Sequence, residues 1–343
     1  MYHQLCSWDN LLCAFHKASR GKRGHPPVAA FEYRLEDNLL QLQRELQDQT
    51  YHPGAYTSFY IHDPKRRLIS AAPFRDRVVH HALCNLIEPL FERAFLADSY
   101  ANRVGKGTHR ALDRAQQCAR RYRYVLACDI RQFFPSIDHA ILRAILSRKI
   151  DDPNTLWLID QILTSGSGVL SEEYAMVYFP GDDLFAILRP RGLPIGNLTS
   201  QFWANCYLNP CDHFIKRELR CHAYVRYVDD LLLFADDKAT LWRWRAALIE
   251  RLANLRLTLH SSAHPRPVNE GIPFLGFTIF PQHRRLKAQR GIAFVRRFRR
   301  LQRNYAAGQI SRDQVTASVR GWVNHVRYGD TWRLRCAVLG TGI

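Results

Sequence analysis

The stretch Arg226-Tyr227-Val228-Asp229-Asp230-Leu231-Leu232-Leu233-Phe234 sets two adjacent carboxylates between apolar and aromatic residues, with no Gly or Pro. This composition predicts a strand on each side. We expect a β-hairpin with strands from Ala223 to Val228 and from Leu231 to Phe234, and with the Asp pair at the turn. Adjacent carboxylates repel each other, and a divalent metal would offset that repulsion. Asp is also a common turn residue, so the pair alone fits either a metal site or a plain turn.

The charge balance indicates a polyanionic partner. The 343 residues include 49 Lys and Arg against 31 Asp and Glu, a formal net charge of +18. Nucleic acid is the most common partner of such a chain, although an anionic membrane surface also fits. No apolar run approaches the roughly 18 residues of a membrane-spanning helix, and the N-terminus lacks the apolar core of a signal peptide. We therefore expect a cytoplasmic protein with no membrane partner.

The nine cysteines form no C-x-x-C pair, and their spacings match no common zinc site. We interpret them as reduced and mostly buried. With 47% hydrophobic residues, the chain can bury a sizeable interior. Its length favours two or three subdomains.

A third acid lies upstream on its own predicted strand. The run from Tyr124 to Ile130 is typical of a buried strand, and Asp129 comes near its end. A helix is expected from about His139, capped by Ser136 or Asp138. If neighbouring strands bring Asp129 to the Asp229–Asp230 pair, three carboxylates meet in a strongly basic protein. That combination favours two Mg²⁺ ions and a phosphate-bearing substrate, as in nucleotidyl transfer.

The same residues resemble the motifs of reverse transcriptases. Tyr227–Asp230 resembles their Y-x-D-D motif, Asp129–Ile137 resembles their first catalytic motif, and Gly192–Gln201 resembles the motif between the two. Order and spacing agree from about Pro64 to Phe277. The resemblance implies an α+β right-hand polymerase with fingers, a ferredoxin-like antiparallel palm and a helical thumb. It implies a helical extension at 1–55, fingers and palm at 56–284, and a basic thumb at 285–343.

Within that family, the form Ile195-Gly-x-x-x-Ser-Gln201 is similar to the diversity-generating retroelement branch. Group II intron and retron enzymes tend toward Gln-Gly-x-x-x-Ser-Pro. The branch implies error-prone copying at adenines to diversify a target gene. The implied partners are a template RNA, its cDNA hybrid, dNTPs and a small, oligomeric helical accessory variability protein. Two alternatives stay open: a reverse transcriptase of a phage-defence or retron-like system, and a non-catalytic RNA-binding scaffold.

The resemblance also implies residue roles. Asp129 and Asp229 would bind two Mg²⁺ ions, with Asp230 nearby and with help from the Ile130 carbonyl; Mn²⁺ is an expected substitute. The dNTP-binding residues would be Lys65, Arg67, Phe134 and Gln201. Phe134 would exclude a ribose 2′-hydroxyl, with a core aromatic as the alternative. Ile195 and Gln201 would shape the templating pocket and so affect fidelity.

Two further regions carry implied roles. Phe274, Leu275 and Gly276 resemble the primer grip, with a plain core hairpin as the alternative. Nucleic-acid contacts in the thumb are expected from Arg296, Arg297, Arg299 and Arg300. The sequence departs from the family after Leu257, where many members have a lysine that protonates pyrophosphate. His260, His264 and Arg266 are the candidates to replace it.

Overall fold

The computed structural model describes residues 1–62 and 66–340, and the chain divides into two compact units. Unit 1 comprises Met1–Asn102, Asp129–Leu219 and Ala247–Ser261. Unit 2 comprises Arg103–Cys128, Arg220–Ala246 and Ser262–Ile343. Both units are discontinuous in sequence, because the chain passes between them five times, once within a strand, once within a helix and three times in connecting segments.

The elements are numbered in chain order. The helices are α1 (Tyr2–Leu5), α2 (Trp8–Ser19), α3 (Pro26–Tyr33), α4 (Leu35–Gln47), α5 (Phe74–Glu92), α6 (Thr108–Arg121), α7 (Phe133–Ser136), α8 (His139–Ser147), α9 (Pro153–Gly166), α10 (Leu198–Arg217), α11 (Lys238–Ala253), α12 (Ala288–Ala306), α13 (Arg312–Val326) and α14 (Trp332–Leu339). The strands are β1 (Thr57–Ile61), β2 (Arg67–Ala71), β3 (Tyr124–Arg131), β4 (Ala223–Tyr227), β5 (Asp230–Ala235), β6 (Thr258–Leu259), β7 (Pro265–Pro267), β8 (Ile272–Phe274), β9 (Phe277–Ile279) and β10 (Arg284–Leu286).

Unit 1 is built around α5, against which α2 and α10 pack. The apolar stripe of α5 includes Val78, Val79 and Leu83, which are all fully buried. Apolar residues at helical spacing lie on one face of a helix, and that face is the one that packs into the core. Phe15 of α2 stacks on Phe31 and meets Phe74 edge to face. The N-terminal segment is helical, as its sequence predicts. Apolar burial of this kind is the main source of stability in such helices.

The central sheet has the strand order β4-β5-β3-β6, and β7 also pairs with β3. Strand β3 starts in unit 2, where Tyr124 pairs with Pro267. The strand ends in unit 1, where Ile130 pairs with Leu259. The predicted buried strand is correct in position but not in exposure near its end, where Cys128 and Ile130 are buried and Asp129 is exposed. Successive side chains of a strand point to opposite faces of the sheet. The Asp129 carboxylate is therefore exposed, although the strand was expected to be buried.

The predicted hairpin forms with a shifted turn. The antiparallel pair β4 and β5 runs from Ala223 opposite Phe234 to Tyr227 opposite Asp230. Two residues, Val228 and Asp229, therefore make the turn. The prediction that both aspartates lie at the turn and that Val228 lies in a strand is wrong. Asp230 begins β5, because closing the ladder with a two-residue loop pairs it with Tyr227.

Unit 2 also contains the small antiparallel sheet β10-β9-β8 and helices α12 to α14. Phe294 of α12 stacks on Trp322 of α13, with ring centroids 4.0 Å apart. The basic segment beyond residue 285 is thus helical, as predicted. The domain boundaries at 55/56 and 284/285 stay predictions.

Two predictions from composition can be compared with the fold. None of the nine cysteines forms a disulfide, and most are buried. Within residues 1–62 and 66–340, none of the helices has the length and apolar character that crossing a membrane requires.

Candidate active site

Asp129 lies in the second half of β3, and its side chain is exposed. Its backbone carbonyl accepts the N–H of His260, at 2.8 Å. This hydrogen bond belongs to the pairing of β3 with β6, which fixes the backbone on both sides of the carboxylate. The arrangement leaves the Asp129 side chain directed to solvent from a rigid strand, as a metal-binding or substrate-binding carboxylate requires.

The turn of the β4–β5 hairpin is strained. Val228 has a φ of 56°, a left-handed conformation that is unfavourable for a β-branched residue. Such strain costs of order 1–3 kcal/mol and is concentrated at functional sites. Arg226 is fully buried in β4, and its Nη1 donates to the Val228 carbonyl at 3.2 Å. A buried cation thus holds the backbone of the residue that precedes Asp229.

The chemistry of the three aspartates fits a hard divalent cation. Within the part of the chain that the structure describes, no group of three or more His, Cys, Asp or Glu side chains could hold a metal ion by itself. Mg²⁺ is usually bound by one or two carboxylates together with waters and substrate phosphates, not by a complete protein cage. Each of these carboxylates, in unit 1 or unit 2, therefore suits a Mg²⁺ ion whose other ligands are waters and substrate phosphates.

Phe134 lies in the short helix α7, which follows Gln132 at a φ of 48°. Phe133 is buried, whereas Phe134 is half-buried and meets it edge to face at 5.4 Å. The carbonyl of Phe134 accepts the Leu193 N–H at 3.0 Å, and the Ile137 carbonyl accepts the Gly192 N–H at 2.8 Å. Within unit 1 the first and middle motifs are therefore joined through their backbones, and the partly exposed ring of Phe134 is available to a ligand.

The middle motif is also tied to β2. Ser70 N–H donates to the Ile195 carbonyl at 2.8 Å. The side chain of Asn197 donates to Ser70 O at 3.0 Å and accepts from Ala72 N–H at 3.2 Å. A side chain at Gly196, whose φ is +124°, would contact Ile69. Close backbone packing therefore holds β2 against the start of α10.

This packing positions the predicted dNTP-binding residues of unit 1. Arg67 begins β2 with an exposed side chain, and Ile195 is half-buried. Gln201 is exposed on the first turn of α10, where its N–H donates to the Asn197 carbonyl at 3.4 Å. Lys65 lies outside the described residues. The elements that carry Arg67, Ile195 and Gln201 are thus joined through Asn197.

Two of the three primer-grip candidates form the turn of a second strained hairpin in unit 2, and the third, Phe274, ends strand β8. Leu275 and Gly276 have φ values of 47° and 90°, as a two-residue turn between paired strands requires. The Gly276 carbonyl accepts the N–H of Lys287, at 3.0 Å, just before α12. Phe274 is buried. Along α12 the side chains of Arg296, Arg297, Arg299 and Arg300 are all exposed, which suits contacts with phosphates.

The structure separates the three candidates for the missing lysine. His260 directly follows β6 and is hydrogen-bonded through its backbone to Asp129. Arg266 is half-buried opposite Val125 in unit 2, where desolvation lowers its pKa. His264 is exposed in the same unit. Of the three, His260 is the one attached to a predicted catalytic residue.

Two residues that the sequence analysis did not assign have clear positions here. Asn197 is buried and uses both ends of its amide. Arg226 is a buried arginine directly before the predicted catalytic turn. The available signal for Arg226 was a single cation within an otherwise apolar strand, which is costly unless the cation is hydrogen-bonded. Asn197 carried no such signal, because its partners come from distant segments.

Comparison with known proteins is consistent with this geometry. The family described as "Reverse transcriptase (RNA-dependent DNA polymerase)" matches residues 62–279. The group II intron-encoded protein LtrA of Lactococcus lactis subsp. cremoris is 26% identical over 183 residues, 52% of this chain and 28% of that protein. Protein YkfC of Escherichia coli K12 is 25% identical over 316 residues, 80% of this chain and 79% of that protein. Nuclear intron maturase 2, mitochondrial, of Arabidopsis thaliana is 24% identical over 155 residues, 40% of this chain and 21% of that protein. The chain thus spans about a quarter of LtrA but most of YkfC.

Proposed function

Because this chain belongs to the reverse transcriptase (RNA-dependent DNA polymerase) family, we propose that it synthesises cDNA on a template RNA. The proposal rests on two sets of hydrogen bonds within unit 1. One joins the motif of Asp129 and Phe134 to the Gly192–Gln201 motif, and the other joins the Gly192–Gln201 motif to β2. The expected substrates are dNTPs and an RNA template with its growing hybrid. In this proposal unit 1 and unit 2 together supply the fingers, palm and thumb of a right-hand polymerase.

The proposed roles are those that the resemblance to reverse transcriptases implies. Asp129 and Asp229 hold the divalent ions, with Asp230 and the Ile130 carbonyl nearby, and Arg67 binds the triphosphate together with Lys65. Two Mg²⁺ ions, which Mn²⁺ could replace, supply activation of the primer 3′-hydroxyl and stabilisation of the leaving pyrophosphate. The ring of Phe134 would collide with a ribose 2′-hydroxyl and so select dNTPs. Ile195 and Gln201 would line the templating pocket, and Phe274, Leu275 and Gly276 would contact the primer.

The test is dNTP incorporation on a primed RNA template with Mg²⁺, comparing Asp229→Asn with the wild type. Removing the charge from a metal-binding carboxylate should lower incorporation by about a thousandfold or more. Asp151→Asn is the matched control, because Asp151 is an exposed acid on a loop of unit 1. Incorporation that survives Asp229→Asn would refute the assignment.

Within this activity we favour the diversity-generating branch, which the Ile195-to-Gln201 form supports. Its partners would be a structured template RNA and a small helical accessory variability protein. A second candidate is an intron-associated reverse transcriptase, which the names of the relatives in Lactococcus and Arabidopsis favour. A phage-defence or retron-like role is also compatible with the same chemistry.

Sequencing of cDNA made by the purified protein distinguishes these roles. The diversity-generating role predicts substitutions concentrated opposite template adenines. Uniformly accurate copying favours the intron-associated, phage-defence or retron-like roles. Mg²⁺-independent RNA binding with no incorporation would favour a non-catalytic scaffold.

A further inference from the structure

A basic cleft lies in unit 2 where α6 leads into β3. It has a volume of about 340 Å³ and is lined on one side by Arg120, Arg121, Tyr122, Arg123 and Tyr124. Segments around β7 and after β9 form the other side. The volume is in the range of ligand sites in proteins, and none of the roles proposed above uses these residues.

The cations of the cleft lack acidic partners. Among the described residues, no ion pair joins the guanidinium group of Arg120, Arg121 or Arg123 to a carboxylate. Asp236 accepts the backbone N–H of Arg123, at 3.3 Å, rather than its side chain. The local positive charge is therefore available to an anionic ligand.

Aromatic rings lie beneath these cations. The Arg121 guanidinium lies 5.7 Å from the centroid of Tyr122, and Arg123 lies 5.9 Å from that of Tyr124. Lys238 approaches the Tyr124 ring at 5.5 Å. Tyr122 and Tyr124 are half-buried. Arginine planes and aromatic rings are the groups on which unpaired bases stack, while the cations contact the phosphates.

The cleft is remote from the predicted catalytic turn. Asp230 begins β5, and Asp236, which contacts Arg123, directly follows the end of that strand. At about 3.3 Å per residue, six residues separate the two ends by roughly 20 Å. A ligand in the cleft therefore occupies a different place from a nucleotide bound at Asp229.

We propose that the basic cleft is a second RNA-binding site, which holds a single-stranded segment of the template RNA away from the polymerase site. The proposal rests on the proposed function only for the choice of RNA as ligand. Phosphates contact Arg121, Arg123 and Lys238, and bases stack against the tyrosine and guanidinium planes. Arg120 is mainly structural, because its Nε donates to the Pro281 carbonyl at 2.8 Å.

The test measures binding of a fluorescent 30-nucleotide unstructured RNA to the full chain, by anisotropy over a series of salt concentrations and without dNTPs. In Arg121→Ala/Arg123→Ala, the loss of two phosphate contacts should reduce the slope of log K against log salt by about 1.4, since each single-strand contact contributes about 0.7. Affinity should fall about tenfold or more. The control Arg148→Ala/Lys149→Ala removes the same charge from an exposed helix end of unit 1 and should change neither quantity.

A second pair of substitutions separates charge from stacking. Arg121→Lys/Arg123→Lys should keep the salt slope but lower affinity about fivefold or more, because lysine lacks the planar stacking surface. Equal slopes and affinities for the alanine pair and its control would overturn the proposal. So would saturable binding of poly-glutamate by the cleft with RNA binding unchanged.

Incorporation on a short primed template is measured separately. If the polymerase assignment fails, no variant incorporates dNTPs, yet the salt slopes still report on the cleft. If only the cleft proposal fails, the wild type incorporates dNTPs, and Arg121→Ala/Arg123→Ala has the same salt slope as its control Arg148→Ala/Lys149→Ala. The two failures are therefore distinguishable.

Discussion

Asn197 holds two elements of unit 1 together with one side chain. Its amide nitrogen donates to the carbonyls of Ser70 and Pro194, at 3.0 and 3.2 Å, and its oxygen accepts the Ala72 N–H. The side chain is 2% exposed. Removal of the Asn197 side chain would leave the Ser70 carbonyl and the Ala72 N–H without this partner, at a cost of about 1–3 kcal/mol.

We predict that Asn197→Ala lowers the free energy of unfolding by about 1–3 kcal/mol and raises KM for dNTPs. Asn197→Asp keeps the acceptor but loses both donor contacts, so it should also raise KM. The measurements are chemical denaturation and steady-state incorporation. Asn254→Ala, at an exposed position after α11, is the control. If Asn197→Ala behaves like that control, Asn197 does not position the dNTP-binding residues.

At the scale of a single element, the loop segment from Tyr178 to Arg191 of unit 1 carries exposed apolar side chains and is held in place by other contacts. Leu184 and Phe185 are 81% and 73% exposed, so they contribute little to its attachment. Two ion pairs attach it through side chains: Arg256 Nη2 lies 2.6 Å from Asp182 Oδ2, and Arg189 Nε lies 2.7 Å from Asp138 Oδ2. The backbone contributes as well, because the Pro190 carbonyl accepts the His139 N–H at 3.1 Å. Asp138 also caps α8 through the Ile141 N–H, at 3.0 Å. Of the two predicted caps, Asp138 is therefore correct.

We predict that Arg256→Ala releases this segment, so that chymotrypsin cleaves at Tyr178, Phe179 and Phe185 several-fold faster. Arg256 is the side-chain partner of Asp182, and local opening exposes a segment to proteases. The measurement is limited proteolysis followed by mass spectrometry, with Arg148→Ala as the control for loss of an exposed arginine. Cleavage at the wild-type rate would show that the ion pair between Arg256 and Asp182 is not needed to hold the segment.

The attachment should also depend on pH in a defined direction. The Phe179 N–H and Arg256 lower the pKa of Asp182. A carboxyl whose pKa is lowered in the folded state contributes stability above its unfolded pKa and loses it as the pH falls through the folded value. Resistance to proteolysis should therefore be constant from about pH 5 upward and should decline below about pH 4.

At the scale of the whole molecule, buried histidines determine how stability responds to acid. His80 of α5 is buried, and neither of its ring nitrogens has a hydrogen-bond partner among the described residues. Burial, with smaller contributions from His81 and Arg77, lowers its pKa to about 3. Burial, with contributions from Lys17 and Lys22, lowers the pKa of His81 to about 4.

Because the pKa values of both histidines are lowered in the folded state, the folded chain becomes less stable in acid. The unfolded chain binds protons at these residues below about pH 6.5 whereas the folded chain does not. The stability that these histidines contribute is therefore fully present above that pH. It falls by up to about 1.4 kcal/mol per pH unit for the buried His80, and by less for the partly exposed His81, as the pH approaches 4.

We predict that His80→Leu reduces the difference in melting temperature between pH 7 and pH 5, since it removes one of the histidines whose pKa is lowered in the folded chain. Differential scanning fluorimetry at both pH values measures this. His52→Leu, at an exposed position, is the control and should leave the difference unchanged. A difference as large in His80→Leu as in the wild type would mean that His80 is not responsible.

Local sequence patterns were enough to identify the main helices and strands and the chemical groups that they carry. The Asp229 hairpin, the β3 strand, the helices at both ends and the family were readable because apolar periodicity, turn chemistry and motif order are local properties. The turn position was missed by one residue, since register depends on how the paired strands close.

The burial of individual groups, and the contacts that hold them, depend on how distant segments pack together. Asp129 is exposed because β3 alternates near its end, and Asn197 is a clamp because Ser70 and Ala72 come to it from a segment more than a hundred residues away. The same holds for the basic cleft, whose walls come from the end of α6 and the start of β3, from the segment around β7 and from the segment after β9. Burial and electrostatic surroundings arise from packing between distant segments, so no local pattern encodes them.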